Sequence, residues 1–289
     1  MKAQKREELR NLMNKLTVGL EVEQVGLDRW EGNRVLRDIN SQFQGQEQWK
    51  IVSDSSIRGT GCEFVSGIMN YSSLHLIQES VRKIRRNGGR EHSSCGIHVH
   101  IDGERFLKDP KALIRLIKIV NRYERHMYHA LKADSITEGQ DRMTGSCWSK
   151  PVCQSFYNRV MSLKNPSIKE IKREWYLLSG GNEFIRYDES RYRLLNLHAL
   201  FSKKTVEFRC FNSTLHAGRI KAYIQLSLMI CCQALLTTKA SKGTRKFDEK
   251  KAHYEVRTWL LRLGAIGDEF KTMRTHLTRH LDGNASWHK

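Results

Sequence analysis

From Ser94 to Ile101 the chain reads Ser-Cys-Gly-Ile-His-Val-His-Ile, which sets His98 and His100 on one face of an extended segment and Ile97, Val99 and Ile101 on the other. Such a segment can bury one face and leave the other polar, so it predicts a strand of a half-covered sheet. Two neighbouring imidazoles can hold one metal ion, or one can hold a metal while the other touches a phosphate. On its own the pattern fits a purely structural strand equally well.

The period of two recurs along the chain. Leu16 to Val25 alternates Val18, Leu20 and Val22 against Gly19, Glu21 and Glu23, so the two carboxylates project together. Trp49 to Asp54 and Gly61 to Ser66 read as two short strands joined by a Gly-containing turn, and they carry Asp54 and Glu63. Tyr192 to Ala199 and Thr205 to Phe211 read as two more; in the second, Glu207 shares a face with Thr205 and Arg209 while Val206, Phe208 and Cys210 point the other way.

Helical spacing separates these strands. Leu74, Ile77, Val81 and Ile84 follow a cap at Ser72 or Ser73 and stop at Gly88-Gly89. Asp109-Pro110 opens a second helix with Leu113, Leu116, Ile117, Val120 and Met127 on its apolar stripe, and Ser167 to Glu170 has capping-box spacing for a third. Residues 134 to 155 read as a loop, Arg219 to Leu236 as an apolar helix, and 250 to 282 as two basic helices. Short strands interleaved irregularly with helices predict an α+β fold: a curved, mainly antiparallel sheet carrying the site, with helices packed on its other face.

The 289 residues include three prolines and no Gly/Ser-rich linker. The expected division is a main domain over 1–238 and a basic helical C-terminal extension over 239–289. Seven cysteines (Cys62, Cys95, Cys147, Cys153, Cys210, Cys231 and Cys232) form an odd set without a CxxC pair, which argues against a secreted disulfide framework. The charged N-terminus lacks an apolar signal core, and the stretch 222–236 is short and interrupted by Gln225, Ser227 and Gln233. A cytoplasmic protein with no membrane partner is expected. A formal charge of +19 attracts phosphates, nucleic acid or acidic protein tails without choosing among them. It is spread over patches at 83–86, Lys203-Lys204 and 239–251.

Like charges on one strand face repel, so Glu21 and Glu23 are costly unless solvent or a cation screens them. Carboxylates with one or two imidazoles suit Mg2+ or Mn2+ better than Zn2+, although Cys95, three residues before His98, leaves zinc open.

In order and local wording, Glu21-x-Glu23, Asp54-Ser55-Ser56, Glu63-Phe64-Val65-Ser66, Cys95-Gly96-Ile97-His98-Val99-His100 and Thr205-Val206-Glu207-Phe208-Arg209 resemble the metal and ATP site of the glutamine synthetase-like carboxylate-amine ligases. Within that superfamily the chain is most similar to the amidoligase family, from about residue 17 to 236. The resemblance implies a glutamine synthetase-like catalytic domain. It also implies that Glu21, His98 and Glu207 hold one divalent ion, Mg2+ or Mn2+, bridging ATP phosphates. Glu23 and Glu63 would hold a second, with Asp54 as the available further acid. Arg209 would contact phosphate, and Arg191 and Arg193 would bind phosphate or carboxylate. Arg209, Arg193 and His100 form the expected catalytic set, with His100 a candidate base for the amine. The implied activity is ATP-dependent ligation of a carboxylate to an amine through an acyl phosphate, and basicity points to an acidic peptide or protein as the carboxylate partner.

Two other readings stay open on the residues. His-hydrophobic-His also marks metal-dependent single-strand DNA nickases and replication initiators, with Tyr123 or Tyr128 as nucleophile. A non-enzymatic basic nucleic-acid-binding protein is the other.

Overall fold

The computed structural model describes residues 3–132 and 148–284. Helix α1 (Ala3–Lys15) leads into strand β1 (Thr17–Val25), followed by α2 (Arg29–Asn40), β2 (Lys50–Val52), β3 (Gly61–Val65), β4 (Met69–Asn70), α3 (Leu74–Arg86) and β5 (Gly96–Asp102). Next come α4 (Glu104–Lys108), α5 (Pro110–Lys132), α6 (Gln154–Ser162), α7 (Ile168–Ser179), β6 (Leu195–Asn196), α8 (Leu197–Lys203), β7 (Thr205–Asn212), α9 (Ala217–Leu236), α10 (Ala252–Leu263) and α11 (Lys271–Thr278). The strands form one antiparallel sheet in the order β2-β3-β1-β5-β7-β6, with β4 paired to β1 outside that path. The α+β reading is therefore the observed fold.

Alternation explains the layering. Val18, Leu20 and Val22 of β1, Ile97, Val99 and Ile101 of β5, and Val206 and Phe208 of β7 are buried in one core shared with the helices. The central helix is α9, packed against α1, α3, α5, α11 and β5. It runs for 20 residues, longer than its apolar stretch alone suggests, and reaches the length and apolarity of a bilayer span; here it lies inside the core. Val256, Trp259 and Leu260 of α10 and Met273 and Leu277 of α11 join the same core.

The structure departs from simple alternation at two places. Tyr192 to Ala199 is not one strand: apart from an isolated bridge between Arg193 and Lys150, pairing is confined to β6, and Asn196 accepts the Ala199 amide at 3.2 Å as the N-cap of α8. A side-chain acceptor at the right position turned an apparent strand into a strand end and a helix start. In β7, Ile97 pairs with Phe211 but Val99 pairs with Phe208, so β7 carries an extra residue there, a β-bulge. Strict alternation would put Phe211 beside Glu207 and Arg209. The bulge instead lets it stack on Tyr223 of α9, with ring centroids 4.4 Å apart.

Helices α1, α2, α4 and α6 have no counterpart in the alternation reading. The start of α2 was nonetheless encoded locally, since Asp28 and Glu31 form a reciprocal capping box. Part of the expected 134–155 loop, and with it Cys147, lies outside the described residues; α6 begins at Gln154. The other six cysteines are free thiols. The capping box at Ser167 and Glu170 opens α7, which ends at Gly180 in the left-handed region (φ 68°). Ser167→Ala is expected to lower stability by about 1 kcal/mol, read as a lower midpoint in urea with unchanged slope.

Candidate active site

Strand register assembles the ionisable face. Glu23 lies opposite Glu63 on β3, and Glu21 opposite His98 on β5. His100 lies opposite Glu207 on β7, and Glu207 opposite Asn196 on β6. Residues from distant parts of the chain therefore become lateral neighbours on one surface.

The contacts are close. His98 Nδ1 is 2.9 Å from Glu21 Oε2 and its Nε2 is 3.7 Å from Glu23 Oε1. His100 Nε2 is 3.2 Å from Glu21 Oε1 and 3.9 Å from Glu207 Oε1. Arg209 Nη1 donates to Glu207 Oε1 at 2.6 Å, and Asn196 Nδ2 donates to the other oxygen at 2.6 Å. The Gly96 amide donates to Glu23 Oε2 at 2.5 Å, while Thr205 Oγ1 lies 3.0 Å from His100 Nδ1. The carboxylates and rings are thus held from behind by Asn196, Gly96 and Thr205.

Two sets of ligand atoms have metal spacing: Glu21, His98 and Glu207, and Glu23, Glu63 and His98, each with its atoms within 4.8 Å of one another. Adjacent ligand atoms around an octahedral ion bound at about 2.1 Å lie roughly 3 Å apart, and Glu21 Oε2 and His98 Nδ1 already stand 2.9 Å apart. Neither set contains a cysteine. Carboxylate-rich ligands of this kind fit a hard divalent cation.

The acids sit in opposite electrostatic surroundings. Burial, reinforced by the charges of Glu21, Glu23 and Asp54, pushes Glu63 up to about 9. Burial pushes Glu207 the same way, but Arg209 and His100 outweigh it and bring the carboxyl down to about 2. Burial likewise acts on Glu21, and the imidazoles of His100 and His98 more than compensate, holding it well below the usual carboxylate range. For His100, burial favours the neutral ring, but Glu21 and Glu207 win and raise it above its ordinary value. Around Glu63, negative charge is in excess.

Arg209 contributes to a second feature. Its Nε is buried without a hydrogen-bond partner, as is that of Arg191, whose guanidinium stacks on Tyr192 at 4.7 Å. Tyr192 in turn lies under Arg209 at 5.8 Å. Arg191 therefore reaches the cluster through one aromatic ring. Arg193 does not: its Nη1 donates to the Pro151 carbonyl at 2.8 Å, and its charge acts on Glu124 of α5. Arg191 and Arg193 would share a face in a strand, but residues 189–191 form a tight helical turn and the Arg193 amide bonds back to Arg191, so alternation does not apply. Asp54 is near enough to raise Glu63, yet its Oδ1 accepts the Ser56 amide at 2.7 Å and it belongs to neither ligand set.

Asn196 and Lys203 are the residues that motif reading undervalued. Lys203 Nζ lies 3.9 Å from Glu21 Oε1, and only register and the α8 turn bring it there. The two tyrosines of the nickase reading lie on α5. Tyr123 stacks on Trp259, and Tyr128 is buried with its hydroxyl donating to the Ser149 carbonyl at 2.6 Å. Neither hydroxyl is presented as a nucleophile beside the imidazoles.

No curated protein matches the chain. A family model described as "Putative amidoligase enzyme" matches residues 14–231. The matched span contains all seven strands, both ligand sets and Arg209. A sheet that lines up Glu21, Glu23, Glu63, His98 and Glu207 inside a family match covering most of the sequence leads to one conclusion: the chain belongs to the putative amidoligase family.

Proposed function

We propose that this chain is an ATP-dependent carboxylate-amine ligase acting through an acyl phosphate. The observation that supports the reading is the pair of ligand sets sharing His98, set beside a buried Arg209 whose Nε has no partner. Mg2+ or Mn2+ held by Glu21, His98 and Glu207, and a second ion held by Glu23 and Glu63, would neutralise triphosphate charge during transfer.

The chain's own groups supply the rest. Arg209 is fixed by Glu207 and offers a preorganised donor to a transferring phosphoryl group. Asn196 and the Gly96 amide orient Glu207 and Glu23, so these ligands need not reorganise. In the reaction, an oxygen of the substrate carboxylate attacks the γ-phosphorus and ADP leaves. The amine nitrogen then attacks the acyl carbon, phosphate leaves, and the amine gives up a proton.

The test is product analysis. With Mg2+ or Mn2+, a carboxylate and an amine, ATP should yield ADP and phosphate in step with amide formation. Release of AMP and pyrophosphate would overturn the acyl-phosphate route. Asn196→Ala, which frees one Glu207 oxygen, should weaken Mn2+ binding about tenfold by calorimetry while leaving the ligand set intact.

A further inference from the structure

We propose that the helical side of the molecule carries a second ligand site, a cleft that takes a single-chain amphiphile with an anionic head, an alkyl phosphate or a long-chain carboxylate. The site does not depend on the ligase reading above.

The cleft opens between the start of α5, the connection from α6 to α7 and the segment that follows α9, and its volume is about 770 Å3. Small-molecule sites run from roughly 300 to 1,000 Å3. None of its lining residues belongs to the carboxylate cluster. The helices that frame it, α5 and α9, pack against β7 and β5 on the side opposite the ionisable side chains.

Five cations line the cleft against one acid. That acid, Asp109, is answered by Arg115 at 3.3 Å, and Arg115 Nε donates to the Ala234 carbonyl at 2.7 Å. Lys111, Lys118, Lys239 and Lys242 remain, and among the described residues none of them has a carboxylate partner. Glu170 of α7, next to the lining Ser167, does not serve them: it accepts the Ser167 amide and hydroxyl, each at 2.8 Å. Two of the lysines come from the basic segment after α9, which has no part in the carboxylate cluster. Burial, with the charges of Lys242 and Arg115, pushes Lys118 below its ordinary value. A bound anion relieves that repulsion, and ammonium groups meet a doubly charged phosphate as point charges.

The walls say what the anion is attached to. Ile114, Val160, Met161 and Leu163, with Pro110 and Pro166, supply the apolar surface. No lining residue is aromatic, so the cleft offers a nucleobase nothing to stack on, whereas an aliphatic chain gains from burial alone. Among the described residues, no large exposed hydrophobic side chain lines the cleft, so it presents none for insertion into a bilayer. The ligand is therefore a dissolved monomer and not a membrane surface.

Isothermal titration calorimetry without divalent ions tests this with inorganic phosphate, hexyl phosphate, octyl phosphate and octanol. Octyl phosphate should bind about tenfold more tightly than hexyl phosphate, the gain from burying two more methylenes, and inorganic phosphate and octanol should each bind far more weakly. Lys118→Glu/Lys242→Glu should raise the octyl phosphate Kd at least about tenfold. Met161→Ser/Leu163→Ser should instead shrink the octyl-to-hexyl ratio to about threefold. In wild type, octyl phosphate should also raise the melting temperature, and in the lysine variant it should not. No binding of octyl phosphate, inorganic phosphate or octanol binding as tightly as octyl phosphate, or a Kd that the lysine variant leaves unchanged would each overturn the inference. Binding of vesicles of phosphatidylcholine with phosphatidic acid through these lysines, with no binding of the monomer, would overturn it in favour of a membrane surface.

Discussion

Glu207→Gln is expected to remove the activity and to destabilise the protein together. The Glu207 carboxylate accepts from Arg209 and Asn196 and lies beside His100. The amide leaves the Arg209 guanidinium buried without its counter-charge, a change that costs roughly 2–4 kcal/mol for a buried pair. The sign follows from the depressed ionisation. Glu207 titrates near 2 in the fold against an ordinary value of 4.5, so its stabilisation is present above about 4.5 and is lost as pH falls toward 2. The gap in melting temperature between wild type and Glu207→Gln should therefore be widest at neutral pH and close in strong acid. Mn2+ affinity at this set should fall at least about a hundredfold, and ADP release with it. Glu21→Gln should share the functional loss. Undiminished turnover in both variants would sink the metal assignment.

Glu63→Gln is expected to do the opposite to stability. Glu63 keeps its proton to about pH 9, because burial and the charges of Glu21, Glu23 and Asp54 all resist its ionisation. A group raised in this way contributes stability that is complete below about 4.5 and is lost as pH rises through the folded value. The metal-free variant should match wild type near pH 4.5 and gain on it with increasing pH, by at most about 1.4 kcal/mol per unit, up to about pH 9. Thermal melts at pH 5, 7 and 9 test this; a variant no more stable than wild type at pH 9 would refute it. The same substitution should weaken metal binding. In wild type, divalent binding must expel the Glu63 proton, so Mn2+ titrations in buffers of different ionisation enthalpy should show proton release that Glu63→Gln lacks. Two carboxylate-to-amide changes on one sheet face thus have opposite effects on stability.

Much of this site was legible without coordinates, for a local reason. A period of two is a property of each strand alone, so His98 with His100, Glu21 with Glu23, and Glu207 with Arg209 could be assigned shared faces from spacing. Capping at Ser167 and the stop at Gly180 are likewise decided within a few residues. Arg193 shows where such reasoning fails. Its neighbourhood looked like a strand, but the turn at 189–191 and the Asn196 cap broke the period, and the side chain went to Pro151 instead of the carboxylates. Asn196 itself carried no motif of its own; its role depends on lying across from Glu207.

What the sequence by itself determined was the face each ionisable side chain occupies and the order of the acidic and imidazole motifs, because both follow from local backbone geometry. Only the tertiary structure decided which of them meet. Register between strands tens of residues apart put Glu63 among like charges and Glu207 beside Arg209. The bulge in β7 sent Phe211 to the core, and stacking on Tyr192 tied Arg191 to Arg209. Charge, burial and proximity are properties of the assembled sheet, so identical residue types on one face ended with opposite electrostatics.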